Sequence, residues 1–557
     1  MTWRRVAGEP AAFLIAWVFS LPHCADPALA RTLSDVSEVL NAAIAPYALK
    51  NPGYPAENAK KTPGNKRNTR PMSDLSFAPA HVLAAMIRRR EISAVELLDH
   101  FTARHAAHNG KVNAIVATDF ERALAQAEEA DHALSRGELW GPYHGVPMTI
   151  KDALETEGLT TTGGSPMFKD HVPERDADAV ARIKAAGAIV FGKTNVPLFS
   201  GDLQSYNEVY GTTNNPWDLT RGPGGSSGGA AAALAAGLTP LEIGSDIGGS
   251  IRTPSHLCGV FGHKPSYDLV SKRGHLPGLP GSLFQSDLSV VGPLARSARD
   301  LEIALSMIMG PDDFNAVGYA PALPEPRARD PRELTIATWF DDPFCPVEAE
   351  NVAIMEQAAD ALEKAGATVH RDARPDFDFA EAFEIYSTLL HGGTTRGFPA
   401  PVVARMKEAA ATLDPSDTSH EAMQARGAAL THHRWLELKE EQAQMRAKWA
   451  QFFDTYDAVL MAVIPVAAFP HDQQSNFHKR ALTVNGEARP YLDLVSWAGL
   501  PLVSYLPSTA VPVSRTKAGL PVGVQIVGPY LEDFTTIAIA SMLERELGGF
   551  VAPPDFA

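Results

Sequence analysis

Hydrophobic positions along the chain follow two periods, and the switch between them marks the elements. Apolar residues three and four apart predict helices. One covers "EISAVELLDHF", where Ser93 and Glu96 have the spacing of a capping box and Ile92 and Leu97 that of a hydrophobic staple. Another runs from Asp176 through "DADAVARIKAAG" and stops at Gly187, and a small-residue helix, "AAAALAAG", stops at Gly237. Residues 346–365, residues 419–450 and "EDFTTIAIASMLEREL" also read as helices. Short apolar runs bounded by Gly or Pro predict buried strands instead: "AIVFG", "PLEIGSD", "ELTIATWF" (333–340), "AVLMAVIP" (458–465) and "GLPVGVQIVG". Strands and helices alternating over this length predict a layered α/β fold. The Pro-rich "ALPEPRARDPRE" (322–333) reads either as a subdomain joint or as a surface loop, and no internal repeat is present.

Composition narrows the classes. The 557 residues are 45% hydrophobic and 20% charged, the balance of a globular protein. A formal net charge of −16 argues against a surface built to neutralise nucleic-acid phosphates. The 3 cysteines, Cys24, Cys258 and Cys345, lie far apart with no C-x-x-C pair, and no H-E-x-x-H occurs. No metal site, zinc cluster or disulfide framework is therefore expected.

The N-terminus supports two readings. "MTWRR" followed by "AAFLIAWVFSL" has the charged and apolar regions of a signal peptide, with Ala28-Leu29-Ala30 as a cleavage pattern. The apolar run is about half of what spans a bilayer. Alternatively, the run is a plain apolar tail, or translation starts near Met72 with "MSDLSFAPA". The first reading implies a periplasmic or secreted protein, the second a cytoplasmic one. Either way, residues 1–71 are set apart as an extension, with a flexible part after about residue 30, and 72–557 form the main domain.

"GAIVFGKT" (187–194) matches the phosphate-loop pattern G-x-x-x-x-G-K-[ST]. The order of elements is wrong for one: a helix ends at Gly187, the intervening residues are strand-like, and Pro197 follows soon after Lys193 and Thr194. Nucleotide binding is not expected, and no nucleotide or other cofactor is called for.

Chemistry concentrates in two glycine-serine stretches, "RGPGGSSGGAAAALAAG" (221–237) and "GSDIGGSIRTP" (244–254). Glycines flanking a serine let consecutive backbone N–H groups converge on one point, as an oxyanion hole requires. Such loops also serve as plain linkers. A serine nucleophile needs a base, and neither a declared histidine nor a G-x-S-x-G elbow is present. Lys151 follows the apolar "HGVPMTI", where desolvation would leave a neutral amine; a solvent-facing lysine at a strand end fits the same pattern.

Three motifs, in order and spacing, resemble the amidase signature family: G-V-P-x-x-x-K-D (145–152), P-G-G-S-S-G-G (223–229) and D-I-G-G-S-I-R-x-P (246–254). "FGKTNVP", "NNPWD" and the closing "GLPVGVQIVGP" are similar to further family segments, and the likeness spans about residues 75–550. Relatives with this signature include fatty-acid-amide-hydrolase-like enzymes and the glutaminase subunits of amidotransferases. The resemblance implies a large mixed sheet between helices, with substrate pockets drawn from the divergent region at about 320–510.

It also implies roles. Ser250 would attack an amide carbonyl, Ser226 on a cis peptide would relay the proton, and Lys151 would be the neutral base. The N–H groups of Ile247, Gly248, Gly249 and Ser250 would hold the oxyanion. Ser227 would join the lysine–serine network or start its helix, Asp246 and Arg252 would brace the loop as a pair, and Ser200 falls where a relative contacts substrate. Cys258 reads as a small core residue. The expected activity is metal-free hydrolysis of a small-molecule amide through an acyl-enzyme, with no stable membrane span and a homodimer left open. A glutaminase subunit of a tRNA-dependent amidotransferase is the alternative, and a catalytically silent binding protein of the same fold is a third.

Overall fold

The computed structural model describes residues 73–276, 280–414 and 416–557. The extension 1–71, with both readings of the N-terminus, lies outside the described residues.

Fifteen strands are formed among the described residues: β1 (Ile115–Thr118), β2 (Pro147–Lys151), β3 (Ile189–Thr194), β4 (Tyr206–Asn207), β5 (Gly211–Thr212), β6 (Leu241–Asp246), β7 (Phe261–Lys264), β8 (Val290–Ala295), β9 (Thr335–Trp339), β10 (Thr368–His370), β11 (Ala458–Ala462), β12 (Ala481–Val484), β13 (Glu487–Pro490), β14 (Ser508–Arg515) and β15 (Pro521–Val527). Eleven build one mixed sheet in the order β1-β3-β2-β6-β8-β7-β14-β15-β11-β9-β10, and β4–β5 and β12–β13 are separate two-stranded pairs. Around the motifs the sheet is parallel: β2 runs with β3 and with β6, Thr149 opposite Glu242 and Ile150 opposite Ile243. The expected α/β architecture is therefore present, with flanking helices on a central mixed sheet.

Every residue of β2, β3 and β6 is buried. Central parallel strands are covered on both faces and so read as continuous apolar runs rather than as alternation. The charged residues they contain, Lys151, Lys193, Glu242 and Asp246, are consequently taken out of water. Their carboxyl ends open on the same edge, where ligands bind in open parallel sheets.

The predicted helix starts hold where local chemistry is strong. Ser93 accepts the Glu96 N–H and Glu96 returns the bond to the Ser93 N–H, so the capping box caps Ala94–Val112. The helix Gly228–Ala235 is buried on all sides. A Cβ on Gly229 would come within 2.3 Å of Asn195 N, so glycine is what lets this helix press on the chain leaving β3.

Three expectations need correction. The single helix over 419–450 is two, His420–Ala428 and His432–Phe453, because the Thr431 hydroxyl accepts the Arg434 N–H and starts a new helix there. The helix predicted from Asp176 begins at Asp178. Strand β3 does not stop at Gly192 but continues through Lys193 and Thr194, which pair with Ile150 and Lys151 of β2. The stretch 322–333 is irregular apart from a short turn of 3-10 helix at Pro331–Glu333.

Candidate active site

Lys151 is the last residue of β2 and is 0% exposed. Its Nζ lies 2.6 Å from Ser226 Oγ and 3.0 Å from Ser245 Oγ, so the lysine at this strand end faces inward. Burial pulls its pKa down to about 7, against the pull of Asp246 and Glu242 in the other direction. Near neutrality a large fraction of Lys151 is therefore free amine.

Ser226 follows a cis Gly225–Ser226 peptide and is wholly buried. The loop that carries it is fixed from outside: the Ser205 hydroxyl accepts the Gly228 N–H at 3.0 Å and lies 3.1 Å from the Gly224 carbonyl. A Cβ at Gly225 would meet the backbone of Asp202–Gln204 at 2.7 Å, so the residue before Ser226 has no room for a side chain.

Ser250 ends the glycine turn after β6. Its carbonyl accepts the Ser227 N–H at 3.1 Å, which ties the two glycine-serine loops together. No direct hydrogen bond joins Ser226 Oγ to Ser250 Oγ. Ser227 starts the helix after Ser226 without capping it, and its hydroxyl reaches the Ser245 carbonyl at 3.3 Å rather than Lys151.

Asp246 holds the turn. Its carboxylate accepts N–H groups from Gly249 (2.8 Å) and Ile251 (3.0 Å) and pairs with Arg252, whose Nε and Nη2 lie 3.1 and 3.0 Å away. Burial alone would raise this carboxyl, but Arg252 and the backbone donors outweigh it and hold it low. Arg252 is braced in turn by Gln525 on β15 at 2.8 Å.

The four N–H groups assigned to an oxyanion are not equivalent. Because the Gly249 N–H is spent on Asp246, it is not free to serve, which corrects that expectation. The N–H groups of Ile247, Gly248 and Ser250 have no hydrogen-bond partner among the described residues. Tyr386 explains the aim of one of them: its hydroxyl donates to the Ile247 carbonyl at 2.9 Å. In a trans peptide the N–H points opposite to the C=O, so gripping that carbonyl turns the Gly248 N–H away from Tyr386. Gly249 has φ +99, the left-handed region that makes the turn feasible.

Ser200 lies in the turn Leu198–Ser200 with φ 58, and its buried hydroxyl has no partner. No bond connects it to Lys151, Ser226 or Ser250. Cys258 is buried, its thiol 3.4 Å from the Pro223 carbonyl and its pKa driven up by burial.

Four contributors were not picked out from sequence: Ser205, Ser245, Tyr386 and His275, whose Nε2 lies 2.7 Å from Ser245 Oγ. Ser245 was within reach, since it immediately precedes Asp246 in the same motif. Tyr386 and His275 stand on distant segments whose residue pattern carries no trace of the contact. Among the described residues, no group of three or more His, Cys, Asp or Glu side chains is placed to hold a metal ion, and no helix is long and apolar enough to cross a membrane.

A mixed α/β sheet presenting a desolvated lysine and two glycine-serine loops at one strand edge defines the class. The chain belongs to the amidase family, whose profile matches residues 96–537. It is 33% identical over 488 residues to the A-type subunit of the glutamyl-tRNA(Gln) amidotransferase of Roseiflexus sp. (strain RS-1), covering 84% of this chain and 96% of that protein. To the indoleacetamide hydrolase of Bradyrhizobium diazoefficiens it is 33% identical over 478 residues, covering 83% and 85% respectively. The solved structure of 6-aminohexanoate cyclic dimer hydrolase is similar, with a TM-score of 0.68 and 27% identity over 85% of this chain and 97% of that one. The protein is an enzyme acting on amides.

Proposed function

We propose that this enzyme is a serine amidase that splits a small carboxylic amide into acid and amine or ammonia, with Ser250, Ser226 and Lys151 as its catalytic residues. The observation that carries this reading is the buried Lys151–Ser226 contact of 2.6 Å. A neutral amine there has a lone pair that can take the Ser226 proton. As Ser250 Oγ bonds to the carbonyl carbon, its proton passes to Ser226 and the Ser226 proton to Lys151. The oxyanion is met by the N–H groups of Ile247, Gly248 and Ser250. Collapse breaks the C–N bond, and the leaving nitrogen takes a proton from Ser226, which Lys151 replaces. Water then adds to the ester with the same proton chain running as before, and Ser250 is released. The contact between the two serine hydroxyls is open in this structure, and such contacts tighten when substrate is bound.

A panel of aliphatic amides, anilides and indole-3-acetamide tests the reading against Ser250→Ala. Turnover by the wild type, abolished in the variant, is expected; equal and negligible rates in both sink it. The relationship to the amidotransferase relatives favours a second reading, a glutaminase that works inside a heteromeric complex. A stable co-purifying partner, together with glutamine turnover only in its presence, would support that alternative.

A further inference from the structure

His275 stands outside the Lys151–Ser226–Ser250 set, yet it is joined to it. Its Nε2 is 2.7 Å from Ser245 Oγ, which is itself 3.0 Å from Lys151 Nζ. The segment is pinned where β2 ends: the Leu276 N–H donates to the Ala153 carbonyl at 2.7 Å and the Glu155 N–H to the Gly274 carbonyl at 2.8 Å. His275 is thus locked beside the base by the backbone that immediately follows Lys151.

Resting on the amidase reading above, we propose that His275 is a positioning residue that, through Ser245, fixes the direction of the hydrogen bonds at Lys151. A neutral amine has two N–H donors and one lone pair, whereas a hydroxyl either donates or accepts. Both hydroxyls that touch Lys151 compete for that single lone pair. For Ser226 to give its proton to Lys151, Ser245 has to accept from Lys151 instead. Its own proton then needs an acceptor, and His275 Nε2 is in place to be one. That requires a neutral imidazole carrying its proton on Nδ1. The surroundings keep it neutral: burial first lowers its pKa to about 3, with Lys151 on β2, whenever it is protonated, and Lys272 on its own segment acting in the same direction. Without the imidazole, the Ser245 hydroxyl is free to turn and occupy the lone pair of the base.

A fluorophosphonate probe tests this without knowledge of the natural substrate. Its phosphorus takes the Ser250 oxygen as fluoride leaves, while the serine proton passes to the base. The rate of labelling, followed by mass mapping to Ser250, is measured against pH. His275→Leu should label about ten- to a hundredfold more slowly. His275→Gln, which returns an acceptor amide, should regain most of the rate. In a Ser245→Ala background the change to Leu should have little further effect, because the path runs through Ser245.

The pH profile separates positioning from mere loosening. A Ser245 hydroxyl that donates to the free amine stabilises the neutral form, so in His275→Leu the rise in rate should shift to lower pH. A site that has only loosened admits water to Lys151 and shifts the rise upward. Labelling of His275→Leu at the wild-type rate, an undiminished loss in the Ser245→Ala background, or an upward shift would each overturn the proposal. If wild-type Ser250 is not labelled at all, it is the amidase reading that fails.

Discussion

Lys151 and Lys193 stand on adjacent parallel strands, both wholly buried, and burial lowers both, to about 7 and about 8. Desolvation therefore does not distinguish them. Their partners do. Lys193 donates to the Leu154 carbonyl and lies 2.9 Å from the Thr156 hydroxyl, which itself lies 3.1 Å from the same carbonyl. That circuit closes on itself and leads to no nucleophile. Lys151 faces two serine hydroxyls: that of Ser245 continues to His275, and that of Ser226 stands on the loop whose Ser227 N–H donates to the Ser250 carbonyl. On the amidase reading proposed above, it is the neighbouring serine loops, rather than the perturbed pKa alone, that would equip Lys151 as a base.

The largest effect expected is at Lys151. Replacement by Met should lower amide turnover by roughly a thousandfold. In the wild type the rate should rise with pH through about 7, as the amine becomes free to accept, and that rise should vanish in the variant. The same change should remove a pH-dependent cost to the fold. Because folding lowers this lysine's pKa, the unfolded chain binds more protons between about 7 and its ordinary value of 10.5, so wild-type stability falls as pH drops through that window. The variant lacks this loss, so its melting temperature relative to the wild type should rise from pH 10 down to pH 7. A wild-type pH profile in Lys151→Met would erase the contrast between the two lysines.

The sequence made this contrast half legible. G-V-P-x-x-x-K-D placed Lys151 at the end of an apolar run, and the same logic of short apolar strands located β3, β6, β9, β11 and β15. The phosphate-loop pattern around Lys193 was set aside on the order of helix and strand, which the course of β3 agrees with. What could not be read is contact across the chain. Tyr386 grips the Ile247 carbonyl from the helix Phe379–Thr394, and Gln525 braces Arg252 from β15. Neither residue has a local pattern that says so, because the constraint lies in the packing of distant elements. The loss of Gly249 as an oxyanion donor was hidden for a related reason: both that N–H and the Asp246 carboxylate are visible in the motif, but not the bond between them.

A smaller effect, of about a hundredfold on turnover, is expected from Gly249→Ala. Alanine is strained at φ +99, and its Cβ would sit 2.7 Å from Thr253 Oγ1 and 3.0 Å from the Ala498 Cβ. The turn has to shift, and the aim of the Gly248 and Ser250 N–H groups shifts with it. Lys151 on β2 is untouched, so on the amidase reading the rise of rate with pH should stay near 7 while the plateau falls. Comparison of full pH–rate profiles for Gly249→Ala and Lys151→Met would separate loss of oxyanion binding from loss of the base. A displaced rise in the glycine variant would mean that the turn also sets the environment of Lys151.

The smallest effect on turnover, within about threefold, is expected from Lys193→Met, and it is the strictest test of the comparison. An onward path is missing there, so no proton transfer is lost. What is lost is support: the Leu154 carbonyl and the Thr156 hydroxyl give up their donor, and Asp152, already raised to about 6 chiefly by burial, loses the cation that restrains it. Stability should fall by about 1–3 kcal/mol, read as a lower denaturant midpoint at unchanged slope. Asp152 should meanwhile take up its proton at higher pH than before. Lys193→Met should therefore cost stability and spare chemistry, whereas Lys151→Met should cost chemistry. If Lys193→Met instead loses turnover on the scale of Lys151→Met while still folded, burial rather than the onward path would be what equips a lysine for this reaction, and the distinction drawn between the two strands would fall.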